Sequence, residues 1–340
     1  MRIRHGHLFT RLAIAAIAAL PVVGIAACGN SGSASDAAGR SAQPTPSSDA
    51  AMGREGDVTN RNGSINPTPE QTVADATVKP TEHQAFYLWG ENAMPSTPQH
   101  SGPDMRSGED GTGFRPTVVT FPVAADVKPK GAVLINAGGA FQFRSNGNEG
   151  EPVALALNKD GFQCFVVNYR LLPYSQQEAG LDLQRAVRFV REHAADYRID
   201  PNNIAVMGFS AGAILSGEQA LHFQGSANGT AVSDEYRPDS LDAVNADVKA
   251  VGLIYGFYGR LARASTDIDE FRGAHLPATF MLWGSNDPFV SQYPQSAQAL
   301  RNAGVSVETH EMNGWPHGFG ADGGWIDQYF APWLTTVFAR

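Results

Sequence analysis

The chain has 340 residues, with 25 Lys+Arg against 34 Asp+Glu and a formal net charge of −9. Hydrophobic residues at 42% and charged residues at 17% suit a folded globular protein and exclude a wholly disordered one. The acidic balance argues against nucleic acid as a partner, because phosphate binding needs a basic field.

The chain opens on an address. Arg2, Arg4 and Arg11 make a positive start, and residues 12–27 are apolar apart from the interruption at Pro21. That is the n-region and h-region of a signal peptide, too short for a comfortable membrane span. Ile25-Ala26-Ala27-Cys28 resembles a bacterial lipobox, with Cys28 at the position that receives lipid. A diacylglycerol plus an N-acyl group supplies more than one chain, enough for stable anchoring. The expectation is a protein exported and lipid-anchored to the outer face of a bacterial cell membrane. An ordinary signal peptide with an incidental cysteine, or an uncleaved anchor, is the alternative. The other cysteine, Cys164, lies in an apolar run and reads as a small buried hydrophobe. Two cysteines make no disulfide framework and no four-cysteine zinc site, and the histidines lack metal-ligand spacing. Neither a metal nor another cofactor is expected.

Residues 29–82 are dominated by Ser, Ala, Gly, Pro, Asn, Asp and Thr and contain no aromatic residue. Such a composition buries too little apolar surface to offset ordering entropy, and reads as a flexible tether. The expected organisation is a signal peptide at 1–27, a lipidated cysteine and disordered tether at 28–83, and one catalytic domain at 84–340.

From Phe86 onward strands alternate with helices. Strands are predicted at 117–121, 132–136, 162–169, 204–208, 248–255, 278–283 and 305–312. Helices are predicted at 151–158, 180–195, 211–221, 294–303 and 325–338. The run Ala132-Val133-Leu134-Ile135 is apolar throughout, as in a strand covered on both faces. The alternation implies an α/β fold, a mostly parallel central sheet with helices on both faces. Reactive groups in such sheets lie beyond the carboxyl ends of the strands.

Gly208-Phe209-Ser210-Ala211-Gly212 fits G-x-S-x-G between a predicted strand and a predicted helix. That context makes Ser210 a candidate nucleophile, exposed on a tight strained turn. A serine hydroxyl is weak without a base, and in this arrangement an acid and then a histidine follow in the chain. His222 and His275 fall too early, and His310 lies inside a predicted strand. His317, in the loop Trp315-Pro316-His317-Gly318-Phe319 just past that strand, is the expected base. Asp287, in Gly284-Ser285-Asn286-Asp287-Pro288, follows another strand end and is the expected acid. Asp267 and Asp269 precede that strand, and Asp322 and Asp327 follow His317, so chain order rejects them. The oxyanion is expected to be held by the N–H groups of Ala211, Gly139 and Ala140, the last two from the loop Asn136-Ala137-Gly138-Gly139-Ala140-Phe141.

These residues carry a resemblance. The chain resembles the α/β-hydrolase superfamily, and within it the acetyl esterase and xylan-esterase-like group related to hormone-sensitive lipase. Ala137-Gly138-Gly139-Ala140-Phe141 stands where that group has P-G-G-G-Y, and Asn168-Tyr169-Arg170 matches its N-Y-R. Gly208-Phe209-Ser210-Ala211-Gly212, Gly284-Ser285-Asn286-Asp287 and His317-Gly318-Phe319 match its nucleophile, acid and histidine segments. Ala137, Ala140 and Ala213 depart from it, replacing a proline and two glycines.

Between the strands 248–255 and 278–283 there is room for one short helix, so no large lid is expected. Without a lid a water-excluding acyl tunnel is hard to build, which favours short acyl groups on a small-molecule or carbohydrate alcohol. Phe141, Tyr255, Phe257 and Trp315 either stack on a sugar or pack the core. The expected function is a serine carboxylic-ester hydrolase acting on short-acyl esters, with acetylated carbohydrate as a candidate substrate. A peptidase or thioesterase on the same fold, and a non-enzymatic surface binding protein, are the alternatives. Oligomeric state is open.

Overall fold

The computed structural model describes residues 65–101, 110–111 and 113–340. The expected signal peptide, the lipidated Cys28 and most of the expected tether lie outside those residues.

Nine strands of the described residues form one sheet: β1 Gln71–Thr72, β2 Ala85–Tyr87, β3 Thr117–Phe121, β4 Gly131–Asn136, β5 Phe162–Asn168, β6 Ile204–Phe209, β7 Ala250–Ile254, β10 Ala278–Gly284 and β11 Val307–Met312. The remaining two, β8 Gly259–Arg260 and β9 Arg263–Ala264, make a small hairpin. The order across the sheet is β1-β2-β3-β5-β4-β6-β7-β10-β11. Every pair from β5 to β11 is parallel, while β3 runs antiparallel to both β2 and β5. All residues of β4 and β6 are buried, so both faces of the sheet are covered there. The helices that cover it are α1 Glu151–Lys159, α2 Gln176–Glu192, α3 Ala211–His222, α5 Gln292–Asn302 and α6 Ala331–Phe338, with the short α4 Ile268–Gly273 beyond the hairpin. No helix among the described residues is long and apolar enough to cross a membrane.

The central strands lie within two residues of where the apolar runs predict them. Three differences have physical causes. Helix α2 begins at Gln176, not at 180, because Ser175 and Glu178 form a capping box that satisfies the first free N–H groups. The last helix is divided: a π-type turn at Ile326–Phe330 precedes α6, and Pro332 near the start of α6 has no N–H to continue the ladder backward. The third corrects the tether boundary. Gln71 and Thr72 pair with Phe86 and Tyr87, and Val73 is buried against the core. The N–H of Ile65 reaches Glu151 Oε1 at 3.2 Å. Residues 65–83 therefore pack on the domain, and the folded part starts before 84. Cys164 is buried with a free thiol, and burial pushes its pKa up.

Candidate active site

The site is assembled at the carboxyl ends of β6, β10 and β11. Ser210 stands between β6 and α3 with φ 51° and ψ −116°, a left-handed backbone that a side chain adopts only under constraint. The packing that imposes it is visible at the flanking glycines. A Cβ on Gly208 would lie 2.1 Å from the carbonyl oxygen of Gly212, and one on Gly212 would lie 2.0 Å from that of Asn136. Backbone thus meets backbone on both sides of the serine. Ala213, one of the three departures from the family pattern, is accommodated by Gly256 opposite, where a Cβ would approach the Ala213 methyl to 2.4 Å.

His317 and Asp287 arrive from neighbouring loops that are stitched together. The N–H of Ser285 donates to Met312 at 3.0 Å, that of Asn286 to Trp315 at 2.9 Å, and that of Gly314 to Ser285 Oγ at 2.7 Å. His317 Nδ1 lies 2.6 Å from Asp287 Oδ2, and His317 Nε2 lies 2.9 Å from Ser210 Oγ. An ionised carboxylate only accepts, so Nδ1 carries the ring proton and Nε2 accepts from the serine hydroxyl. Asp287 is buried, and its second oxygen accepts the N–H of Phe289 at 2.7 Å, which fixes its plane. The rings of Tyr255 and Phe289 pack on the imidazole, centred 4.8 and 5.8 Å from it. A hydroxyl, an imidazole and a carboxylate in this series pass a proton off the hydroxyl as it attacks.

Beside the serine lies the glycine loop after β4. The N–H of Gly138 is occupied, donating to Glu149 Oε2 at 2.6 Å. No acceptor among the described residues takes the N–H of Gly139, Ala140 or Ala211. Tyr169, from the Asn168-Tyr169-Arg170 segment, ties the loop down by donating its hydroxyl to the Ala137 carbonyl at 2.6 Å. Arg170 anchors that segment: it is fully buried and forms a two-pronged pair with Asp182 of α2.

Ala140 and Phe141 have φ values of 54° and 57°, in the region that favours glycine. The methyl of Ala140 is therefore carried at a conformational cost that a glycine there avoids. Ala140→Gly is expected to raise stability by a few tenths to about 1 kcal/mol, the relief of the left-handed alanine outweighing the added freedom of the unfolded chain. Urea unfolding of the two proteins measures this; a lower midpoint at unchanged slope would show that the loop is not strained at that residue.

Three of the competing residues, His310, Asp267 and Asp269, are engaged elsewhere. His310 bonds Glu308 at 2.9 Å and stacks on Tyr329 at 4.2 Å between ring centres. Asp267 caps α4, and Asp269 pairs with Arg272. Of the aromatics considered for sugar stacking, Phe141, Tyr255 and Phe257 are buried and belong to the core, whereas Trp315 is half-buried. The span between β7 and β10 holds only the β8–β9 hairpin and the six-residue α4, in keeping with the absence of a large lid. Sequence reasoning missed Glu149. It is buried, bonded to Gly138 and to the hydroxyl of Tyr255, and burial pushes its pKa up. A glutamate just before a helix that opens with proline reads as a solvated charge favoured by the helix dipole, so no local signal separates it from its neighbour Glu151.

The BD-FAE family model matches residues 120–267. An acetylxylan esterase of Xylanibacter ruminicola is 29% identical over 211 residues, which are 56% of this chain and 42% of that protein. The chain thus spans under half the length of that relative. Carboxylesterase NlhH of Mycobacterium tuberculosis is 29% identical over 258 residues, 66% of this chain and 78% of that protein. Among solved structures, the acetyl ester-xyloside bifunctional hydrolase of Caldicellulosiruptor lactoaceticus superposes with a TM-score of 0.54 at 25% identity, covering 75% of this chain and 93% of that one. The chain has an α/β-hydrolase fold, and the proteins it resembles are esterases.

Proposed function

We propose that the protein is a serine carboxylic-ester hydrolase acting on short-acyl esters through an acyl-enzyme. The observation that carries this reading is the hydrogen-bonded series Ser210, His317 and Asp287 beside three N–H groups with no acceptor among the described residues. Ser210 Oγ attacks the ester carbonyl while His317 Nε2 takes its proton. Asp287 keeps the ring in the right tautomer and stabilises its cation without itself taking the proton. The N–H groups of Gly139, Ala140 and Ala211 hold the oxyanion, each donor contributing about 3 kcal/mol in the transition state. Collapse expels the alcohol, which receives the proton from His317. A water then repeats the sequence on the acyl-enzyme and frees the acid.

Acetylated carbohydrate is the proposed natural substrate class. Support comes from relatives named for acetylxylan and acetyl ester-xyloside hydrolysis, and from the small cover over the site. A buried methylene is worth about 0.8 kcal/mol only where there is wall to bury it against. The proposal therefore expects kcat/KM to fall from acetyl or butyryl p-nitrophenyl esters to octanoyl and beyond, measured below micelle-forming concentrations. A rate that climbs through decanoyl would mean an acyl tunnel and would remove the short-acyl assignment.

A further inference from the structure

We propose that Glu149 is a positioning residue that holds the oxyanion loop and the histidine loop in a single register. The proposal rests on the esterase reading of the site. One carboxylate oxygen, Oε2, accepts the N–H of Gly138 at 2.6 Å; the other, Oε1, accepts the hydroxyl of Tyr255 at 2.6 Å. Tyr255 in turn accepts the N–H of Gly320 at 3.1 Å. Gly138 precedes the oxyanion donors Gly139 and Ala140, and Gly320 lies three residues past His317. A buried chain of three hydrogen bonds thus joins the two loops. Neither glycine has room for a side chain: a Cβ on Gly138 would lie 3.0 Å from Glu149 Oε2 and 2.9 Å from Ser210 Cβ, and Gly320 has φ 55° with a Cβ there 2.4 Å from Asn148 Oδ1.

The chemistry of the three partners explains why an acid stands there. The Gly138 N–H only donates. The Tyr255 hydroxyl already accepts from Gly320, so its proton is free to point at Glu149. The site therefore needs two acceptors on one side chain, which a carboxylate provides and a carboxamide does not. Burying a carboxylate is unfavourable, and packing alone is met better by an apolar side chain of similar size. What the acid adds is the simultaneous grip on two loops. Tyr255 carries the grip to the base in a second way, through its ring 4.8 Å from the imidazole, and its own φ of 37° shows that it is held there.

Releasing Gly138 leaves the adjacent donors free to drift from the oxyanion, an interaction made in the transition state, so kcat falls and KM does not. Glu149→Ala is expected to lower kcat by about 10²-fold, the scale of one lost oxyanion donor, with KM within about threefold of the parent. Hydrogen exchange gives a readout that does not depend on activity. In Glu149→Ala, peptides covering 137–145 and 316–321 should both exchange faster. In Tyr255→Phe only the 316–321 peptide should, because the Gly138 bond survives. Glu149→Gln keeps one acceptor and should lose kcat by roughly tenfold with faster exchange in one loop. It carries the test if the alanine variant does not fold. Unchanged exchange in both loops, or a kcat within about twofold of the parent, overturns the proposal. A parent that hydrolyses no ester would instead remove the esterase reading, and the exchange pattern would still decide whether Glu149 couples the loops.

Discussion

Ser210→Ala should abolish ester hydrolysis, with kcat/KM falling on the order of 10⁶-fold, the loss seen when a nucleophile is removed from a unit that acts together. The fold should persist. Among the described residues the serine makes one side-chain bond, to His317 at 2.9 Å, and losing it costs about 1 kcal/mol. Alanine meets the same strained backbone at φ 51° as serine does, so no new conformational cost arises. Steady-state kinetics on p-nitrophenyl acetate, with circular dichroism of the variant alongside, separates lost chemistry from lost structure. A folded variant that retains a tenth or so of the parent rate would place the nucleophile elsewhere.

His317→Ala should be nearly as damaging, since without the imidazole nothing takes the serine proton. The informative control is His310→Ala. That ring, on β11, is committed to Glu308 and to the face of Tyr329, so kcat/KM should stay within about twofold. If His310→Ala were the inactive variant and His317→Ala the active one, the choice of base would be reversed.

What was legible in the sequence and what was not divides along physical lines. Strands β4, β5 and β6 were readable because both of their faces are covered, which forces uninterrupted apolar runs bounded by polar turns. The serine elbow was readable because glycines at 208 and 212 are dictated by backbone contact, so the motif is itself a steric statement. Asp287 and His317 were readable because chain order and position past strand ends leave few choices, and the structure brings both to the serine. The edge was harder. Strands β1 and β2 are two and three residues long, and the polar stretch around Gln71 has no alternation to reveal that Val73 is buried. The start of α2 is carried by the capping-box spacing of Ser175 and Glu178, which lies ahead of the helix's first apolar residues. Glu149 was out of reach altogether. Its role depends on Gly138, 11 residues before it, and Tyr255, 106 residues after it, and only the closed fold brings the three together.

The central claim is that Ser210 is the nucleophile of an ester hydrolase. Incubation of the full chain with diethyl p-nitrophenyl phosphate, followed by intact mass measurement and peptide mapping, tests it most directly. The expected result is one diethylphosphoryl group per chain, carried on Ser210, with esterase activity lost in step with labelling and no label on Ser210→Ala. An active protein that takes the label on another residue, or keeps its activity while Ser210 is fully modified, would contradict it.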